Sequence, residues 1–285
     1  MAQPSYNIEA VYKDINTIDG EFGVRMQNGG TVEFASGPIT RYCPHYKDSN
    51  GYGICLSYLY MASSGVINLL QTLKDKRGLE YDKLAEYAIL FLSYKLKQHS
   101  QYKWTNLNYF YTNHIKNNND YNNKIKDNGS PTYKDIINKK KDLMNTNEIY
   151  KFNGPFSILV LLYNEIKKNN WDCTKCSTKA NEFVQNFEKL NDDSNINGNA
   201  SYRKLLSTLS DDYDNLKNKC PNFQSLPEIK TPPSKLIPVL STFSVIPVFL
   251  GIAYKYSLFG IDKIFQRQYL RKKLKKVKKK LKLNI

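Results

Sequence analysis

Residues 236–254, LIPVLSTFSVIPVFLGIAY, run for nineteen positions without a charged side chain. At about 1.5 Å per residue, a helix of that length matches the ~30 Å hydrocarbon core of a bilayer. Pro238 and Pro247 favour a membrane setting. A proline inside a soluble helix costs about 3 kcal/mol, whereas a membrane helix tolerates it through neighbouring groups. The competing assignment is a buried core helix. Such a helix seldom lacks a polar face, and this one is followed at once by Lys255 and a basic tail.

The charge distribution supplies a direction. Residues 255–285 hold twelve of the 42 basic residues and, in Asp262, one of the 26 acidic ones, a net +11 out of the formal +16. Lys255, Arg271, Lys272, Lys273, Lys275 and Lys276 are the membrane-proximal cations. Lys and Arg beside a span are retained on the cytosolic face and attract anionic head groups, so the expected topology is N-terminus out and C-terminus cytosolic, with the lipid bilayer as partner. Leu270, Leu274, Val277 and Leu281 fall four, three and four apart, so a helical tail presents one apolar stripe and is placed on the inner leaflet. Nuclear targeting, nucleic-acid binding and a calmodulin-like target helix are other meanings of a basic run. Adjacency to a span counts against all three, and no nucleic-acid partner is expected. The first twenty residues carry Glu9, Asp14 and Asp19 and no apolar run of the kind a signal peptide needs, so export is expected to rely on the internal segment. The alternative is a tail-anchored protein with a cytosolic N-terminal domain, which would carry the basic tail to the luminal side, against the charge bias.

Ahead of the span the pattern is mainly helical. Residues 1–60 read as irregular, with turn signals at NGG (28–30) and SGP (36–38), and the alternation of Val24, Met26, Val32 and Phe34 suggests a small hairpin. From Ala62 onward helical spacing takes over. Leu84, Ala88, Phe91, Leu92 and Leu96 form one face, and SILVLLYNEIKK (157–168) reads as a buried helix. Phe183, Phe187 and Leu190 make another stripe, as do Tyr202, Leu205, Leu206, Leu209, Tyr213 and Leu216, ending before Cys220 and Pro221. Ser130 and Pro131 are placed as cap and first position of a helix over 131–144. Thirteen asparagines between 106 and 153, densest in KNNNDYNNKIKDNGS (116–130), mark a surface loop or disordered insertion, because few apolar groups there offset the ordering entropy. Asn128 and Asn199 head N-x-S patterns that exported chains can glycosylate. Four prolines in 221–235 predict an extended stalk.

Five cysteines, Cys43, Cys55, Cys173, Cys176 and Cys220, precede the span. Two disulfides would leave one cysteine over, and about fifteen arrangements are open. The CxxC of Cys173 and Cys176 also suits zinc or redox chemistry. Cys43, His45, Cys55 and Cys220 are the further zinc candidates, yet no second close pair appears, and the helical pattern lacks the βαβ context of a redox fold. Structural disulfides in an oxidising compartment are the preferred reading. No phosphate-binding glycine loop, HExxH, GxSxG or kinase signature is present, and His45, His99 and His114 form no base or ligand constellation. Neither catalysis nor a cofactor is expected. Lys, Asn, Tyr and Ile, all with AT-rich codons, are abundant, so scattered lysines in the body are read as a solvated surface.

Four stretches carry a family resemblance: 86–115, EYAILFLSYKLKQHSQYKWTNLNYFYTNHI; 173–192, CTKCSTKANEFVQNFEKLND; 206–223, LSTLSDDYDNLKNKCPNF; and the membrane segment with its tail from Ile237. Together they resemble the Plasmodium interspersed repeat (PIR) proteins, a variant multigene family of malaria parasites, particularly its rodent-parasite members. The resemblance implies a mainly α fold: a cysteine-containing helical ectodomain over 1–220 with a disordered or loop insertion, a Pro-rich stalk at 221–235, one C-terminal transmembrane helix at 236–254 and a basic cytoplasmic tail at 255–285. It implies display on the infected red cell or on parasite membranes, antigenic variation, and a host receptor or antibody as partner. It brings no catalytic residues. A structural or trafficking adaptor on an internal parasite membrane is the alternative function.

Overall fold

The computed structural model describes residues 6–168, 173–231 and 266–278, with the side chains of 167 and 168 excepted. The chain divides into two units, Met1–Pro232 and Pro233–Ile285. The candidate span at 236–254 and Lys255 lie outside the described residues. Among the described residues no helix is long and apolar enough to cross a membrane.

The first unit is built on helices. Contrary to the irregular reading of residues 1–60, α1 (Ile8–Asp19) opens the fold, with Asn7 accepting from the Ala10 amide as its cap. Ile8, Val11, Tyr12, Ile15 and Ile18 recur at helical spacing, and all five are buried. The hairpin is present: β1 (Phe22–Gln27) pairs antiparallel with β2 (Gly30–Ala35), in the register Val24 to Glu33. Its two-residue turn places Asn28 and Gly29 at φ 52° and 80°, the left-handed pair that a type I′ turn requires.

Two long helices follow, α2 (Tyr58–Leu73) and α3 (Tyr81–Gln98). Gly65 lets α2 approach the hairpin, since a Cβ there would stand 2.7 Å from the Phe22 ring. Helix α3 packs against α2 and is buried from Leu84 to Ser93, almost all the way round, so it forms the centre of the core.

The asparagine-rich region is not a disordered insertion. It comprises α4 (Leu107–Phe110) running into a π-helical turn at Tyr111–Ile115, a 3-10 turn at Asn119–Asn122, and α5 (Tyr133–Asn138). Phe110, Ile115, Tyr121 and Ile125 are buried, each fastening one short piece. The cap of α5 is Thr132, which forms a reciprocal box with Asp135, rather than Ser130, whose hydroxyl accepts from the Lys126 amide. The helix expected over 131–144 breaks after Asn138 and resumes as a 3-10 turn at Lys141–Met144.

Helices α6 (Asn153–Lys168), α7 (Ser177–Asp192), α8 (Ser194–Asn197) and α9 (Ala200–Lys219) complete the unit. The last helix returns to the first: Tyr12 donates to Asp212 at 2.8 Å, and Lys219 pairs with Glu9. Residues 221–231 do not begin a free stalk. Phe223 is buried, Leu226 and Ile229 pack on the core, and Asn191 bonds the Glu228 carbonyl and the Lys230 amide at 2.8 Å each. In the second unit residues 266–278 form a helix, on which Leu270, Leu274 and Val277 keep the spacing of the stripe that a helical tail would present, while Leu281 lies outside the described residues.

Candidate functional site

The five cysteines resolve into two bridges. Cys43 pairs with Cys55, their Cα atoms 4.7 Å apart, and Cys173 with Cys220 at 5.7 Å. Cys176 belongs to neither bridge and is buried at the start of α7. The zinc reading fails on these pairings, because four of the thiols are already oxidised and a zinc ligand must be a thiolate. Among the described residues no group of three or more His, Cys, Asp or Glu is placed to hold a metal.

The first bridge closes a compact knuckle beside α2. Within it Asp48 accepts from the Asn50 and Tyr52 amides at 2.9 Å, and His45 pairs across to Ile54. Only glycine fits at position 53, since a Cβ there would lie 2.3 Å from the Cys43 carbonyl oxygen. The knuckle holds Tyr46, Ile54 and Leu56 outward in water.

Next to the knuckle a cleft of about 460 Å³ is lined by Pro44, His45, Lys47, Tyr60, Asn113, His114 and residues 117–120. The Tyr60 ring stands edge-on to His45 and to His114, with centroids 5.3 and 5.5 Å away. Burial pulls the His114 pKa below the usual imidazole value, so the ring is neutral at physiological pH. Ser63 of α2 donates to the His114 carbonyl at 2.8 Å and fixes the π turn. The cleft therefore offers aromatic edges, amides and one Lys47–Asp120 ion pair, a set suited to hydrogen bonding and stacking. His99 lies elsewhere. Its Nε2 meets Glu33 Oε1 at 3.0 Å and ties the hairpin to the end of α3. The spacing of His45, Tyr60 and His114 in the sequence gives no hint of this grouping.

The two glycosylation patterns differ. Asn128 is exposed on its loop, whereas the Asn199 side chain caps α9 by accepting from the Ser201 and Tyr202 amides at 2.9 and 3.2 Å. Arg271, Lys272, Lys273, Lys275 and Lys276 are all exposed on the 266–278 helix.

Three buried polar anchors on α3 fix the frame that carries these surfaces. Tyr87 donates to Asp212 of α9 at 2.7 Å, and Tyr12 completes the carboxylate's coordination. Burial pushes the Asp212 pKa up to about 7, against the two tyrosine hydrogen bonds that lower it. Glu86, fully buried, receives Lys140 at 3.1 Å and the Thr208 hydroxyl at 2.7 Å. Lys95 donates to Asp19 at 2.7 Å and to the Phe22 carbonyl at 2.8 Å, and burial lowers its pKa against the pull of Asp19. Tyr87 and Glu86 both tie α3 to α9, Glu86 adding Lys140, while Lys95 ties α3 to the end of α1 and to β1, so the helices are held in one arrangement.

The described residues of the first unit thus form a mainly helical domain with two disulfides and an exposed cross-linked knuckle. A family model described as Plasmodium variant antigen protein Cir/Yir/Bir matches residues 12–255, and the chain belongs to that family. A solved structure titled "Structure of a Plasmodium PIR protein ectodomain" is similar at 34% identity and a TM-score of 0.58, covering 79% of this chain and 98% of that one. No curated protein matches the chain.

Proposed function

We propose that this chain is a single-pass membrane variant antigen, displayed by a malaria parasite, whose helical domain serves host interaction and immune evasion by binding rather than catalysis. The family match over residues 12–255 carries the reading. Two further features support it. The domain holds two disulfides, which persist in an oxidising compartment such as the cell exterior. The candidate span is followed by cations that favour a cytosolic C-terminus. The knuckle at 43–55 and the adjoining cleft are the surfaces on which a receptor or antibody would land.

The test is protease shaving of intact infected cells carrying the chain with an epitope tag at each end. Loss of the N-terminal tag with retention of the C-terminal one is expected. Protection of residues 1–230 with digestion of the tail would overturn the topology. Protection of both ends, with free thiols at Cys43 and Cys55, would favour an adaptor on an internal parasite membrane.

A further inference from the structure

We propose that the 266–278 helix is a docking surface for anionic phospholipid bilayers, engaged through a lysine-flanked apolar stripe. The proposal rests on this helix alone and is separate from the antigen reading of the first unit. Leu270, Leu274 and Val277 share one face by their four and three spacing, and they are 57%, 61% and 52% exposed; Tyr269 at 65% flanks them. Seven basic residues, Arg267, Arg271, Lys272, Lys273, Lys275, Lys276 and Lys278, share the rest of the helix with Gln266 and Gln268, and it has no acidic residue. Lys273 lies 5.8 Å from the Tyr269 ring, beside the stripe, where its alkyl stem can extend the apolar surface while the ammonium reaches head groups.

Charge and shape together select the occupant. A nucleic acid would satisfy the cations through phosphates yet leave the stripe in water. An apolar protein groove would cover the stripe but meet lysines on both flanks and on the back. An anionic leaflet satisfies both at once, because a helix lying in the interface buries its apolar face at the acyl boundary and keeps its cations at head-group level. The three stripe residues are narrow enough that neither apolar burial nor charge alone gives firm binding, so dependence on both is the signature of this surface.

The full-length chain is incorporated into lipid nanodiscs of phosphatidylcholine alone and of phosphatidylcholine with phosphatidylserine, and hydrogen exchange is followed over residues 266–278. Incorporation into the zwitterionic discs tests the membrane span; the difference between compositions tests the tail. Exchange at least tenfold slower in the anionic discs is expected, with the protection lost in about 1 M salt. Loss is also expected in K272Q/K273Q/K275Q/K276Q, which removes attraction on the order of 10³-fold. The L270Q/L274Q/V277Q variant, which keeps every charge, should lose it as well. Equal exchange in the two compositions would overturn the proposal. So would protection that needs calcium-loaded calmodulin, which would make the stripe a protein-binding face. Protection insensitive to the leucine and valine changes would reduce the contact to diffuse charge and overturn it equally.

Discussion

At the scale of single residues, the consequential finding is that Asp212, a carboxylate with two tyrosine donors, sits fully buried where α1, α3 and α9 meet. Its folded pKa of about 7 lies above the ordinary carboxylate value near 4. The stability it contributes is therefore fully present below about pH 4 and is lost as the pH rises toward 7. Asp212→Asn cannot titrate, and its amide still faces both hydroxyls. Urea unfolding of the full-length chain in detergent should show the variant gaining on the wild type by up to about 1.4 kcal/mol per pH unit between about pH 4 and 7, then levelling. Parallel pH profiles would remove Asp212 from this role. The position was half legible. Leu205, Leu209, Asp212 and Leu216 fall four, three and four apart, which puts Asp212 on the buried stripe, but the neighbouring Asp211 and Asp214 make the run look like a solvated acidic patch. Nothing in sequence shows that Tyr12 and Tyr87 converge on it, since that contact spans 200 and 125 residues.

At the scale of elements, the bridges act on different lengths of chain. The sequence separation is 12 for Cys43–Cys55 and 47 for Cys173–Cys220, so on chain-entropy grounds their removal costs about 3 and about 4 kcal/mol. Thermal unfolding of C43A/C55A and C173A/C220A should rank the second as the more damaging; the reverse order would mean that native-state packing, not chain entropy, decides. Strong periodicity made α3, α6, α7 and α9 readable in advance, because each buries a regular stripe. Helix α1 carried the same signal in Ile8, Val11, Tyr12, Ile15 and Ile18, but the turn-rich composition that follows it drew the whole segment toward an irregular reading. Between 106 and 153 the buried anchors are too unevenly spaced for one helix. Each seats its own short turn, and asparagine serves those turns by capping, as Asn106 and Asn118 do for the Tyr109 and Asp120 amides. Cysteine pairing was open for a plain reason: it depends on which helix ends meet, and spacing along the chain does not encode that.

At the scale of the whole molecule, the family match takes in most of the first unit, which holds both bridges, and the candidate span calls for its own test. If residues 236–254 cross the bilayer, the full-length product stays with the membrane pellet in alkaline carbonate; release into the supernatant would refute the span while leaving the helical unit untouched. The grouping of the knuckle with the cleft was not foreseeable, because His45, Tyr60 and His114 lie apart along the chain and are gathered by packing on α2. The tail was the reverse case. Given a helix, its spacing puts Leu270, Leu274 and Val277 on one stripe, and no long-range contact is needed to form it.

The clasp between the first helix and the last sets the order of events during synthesis. Helix α1 leaves the ribosome early with Tyr12 and Glu9 lacking their eventual partners, and those arrive only with Asp212 and Lys219, after nearly the entire globular unit has been made. Closure is thus a late, non-local step, of the kind that slows folding. Until then α1 already rests on α2 and α6, so what the last helix adds is the polar fastening rather than the burial of α1's apolar side.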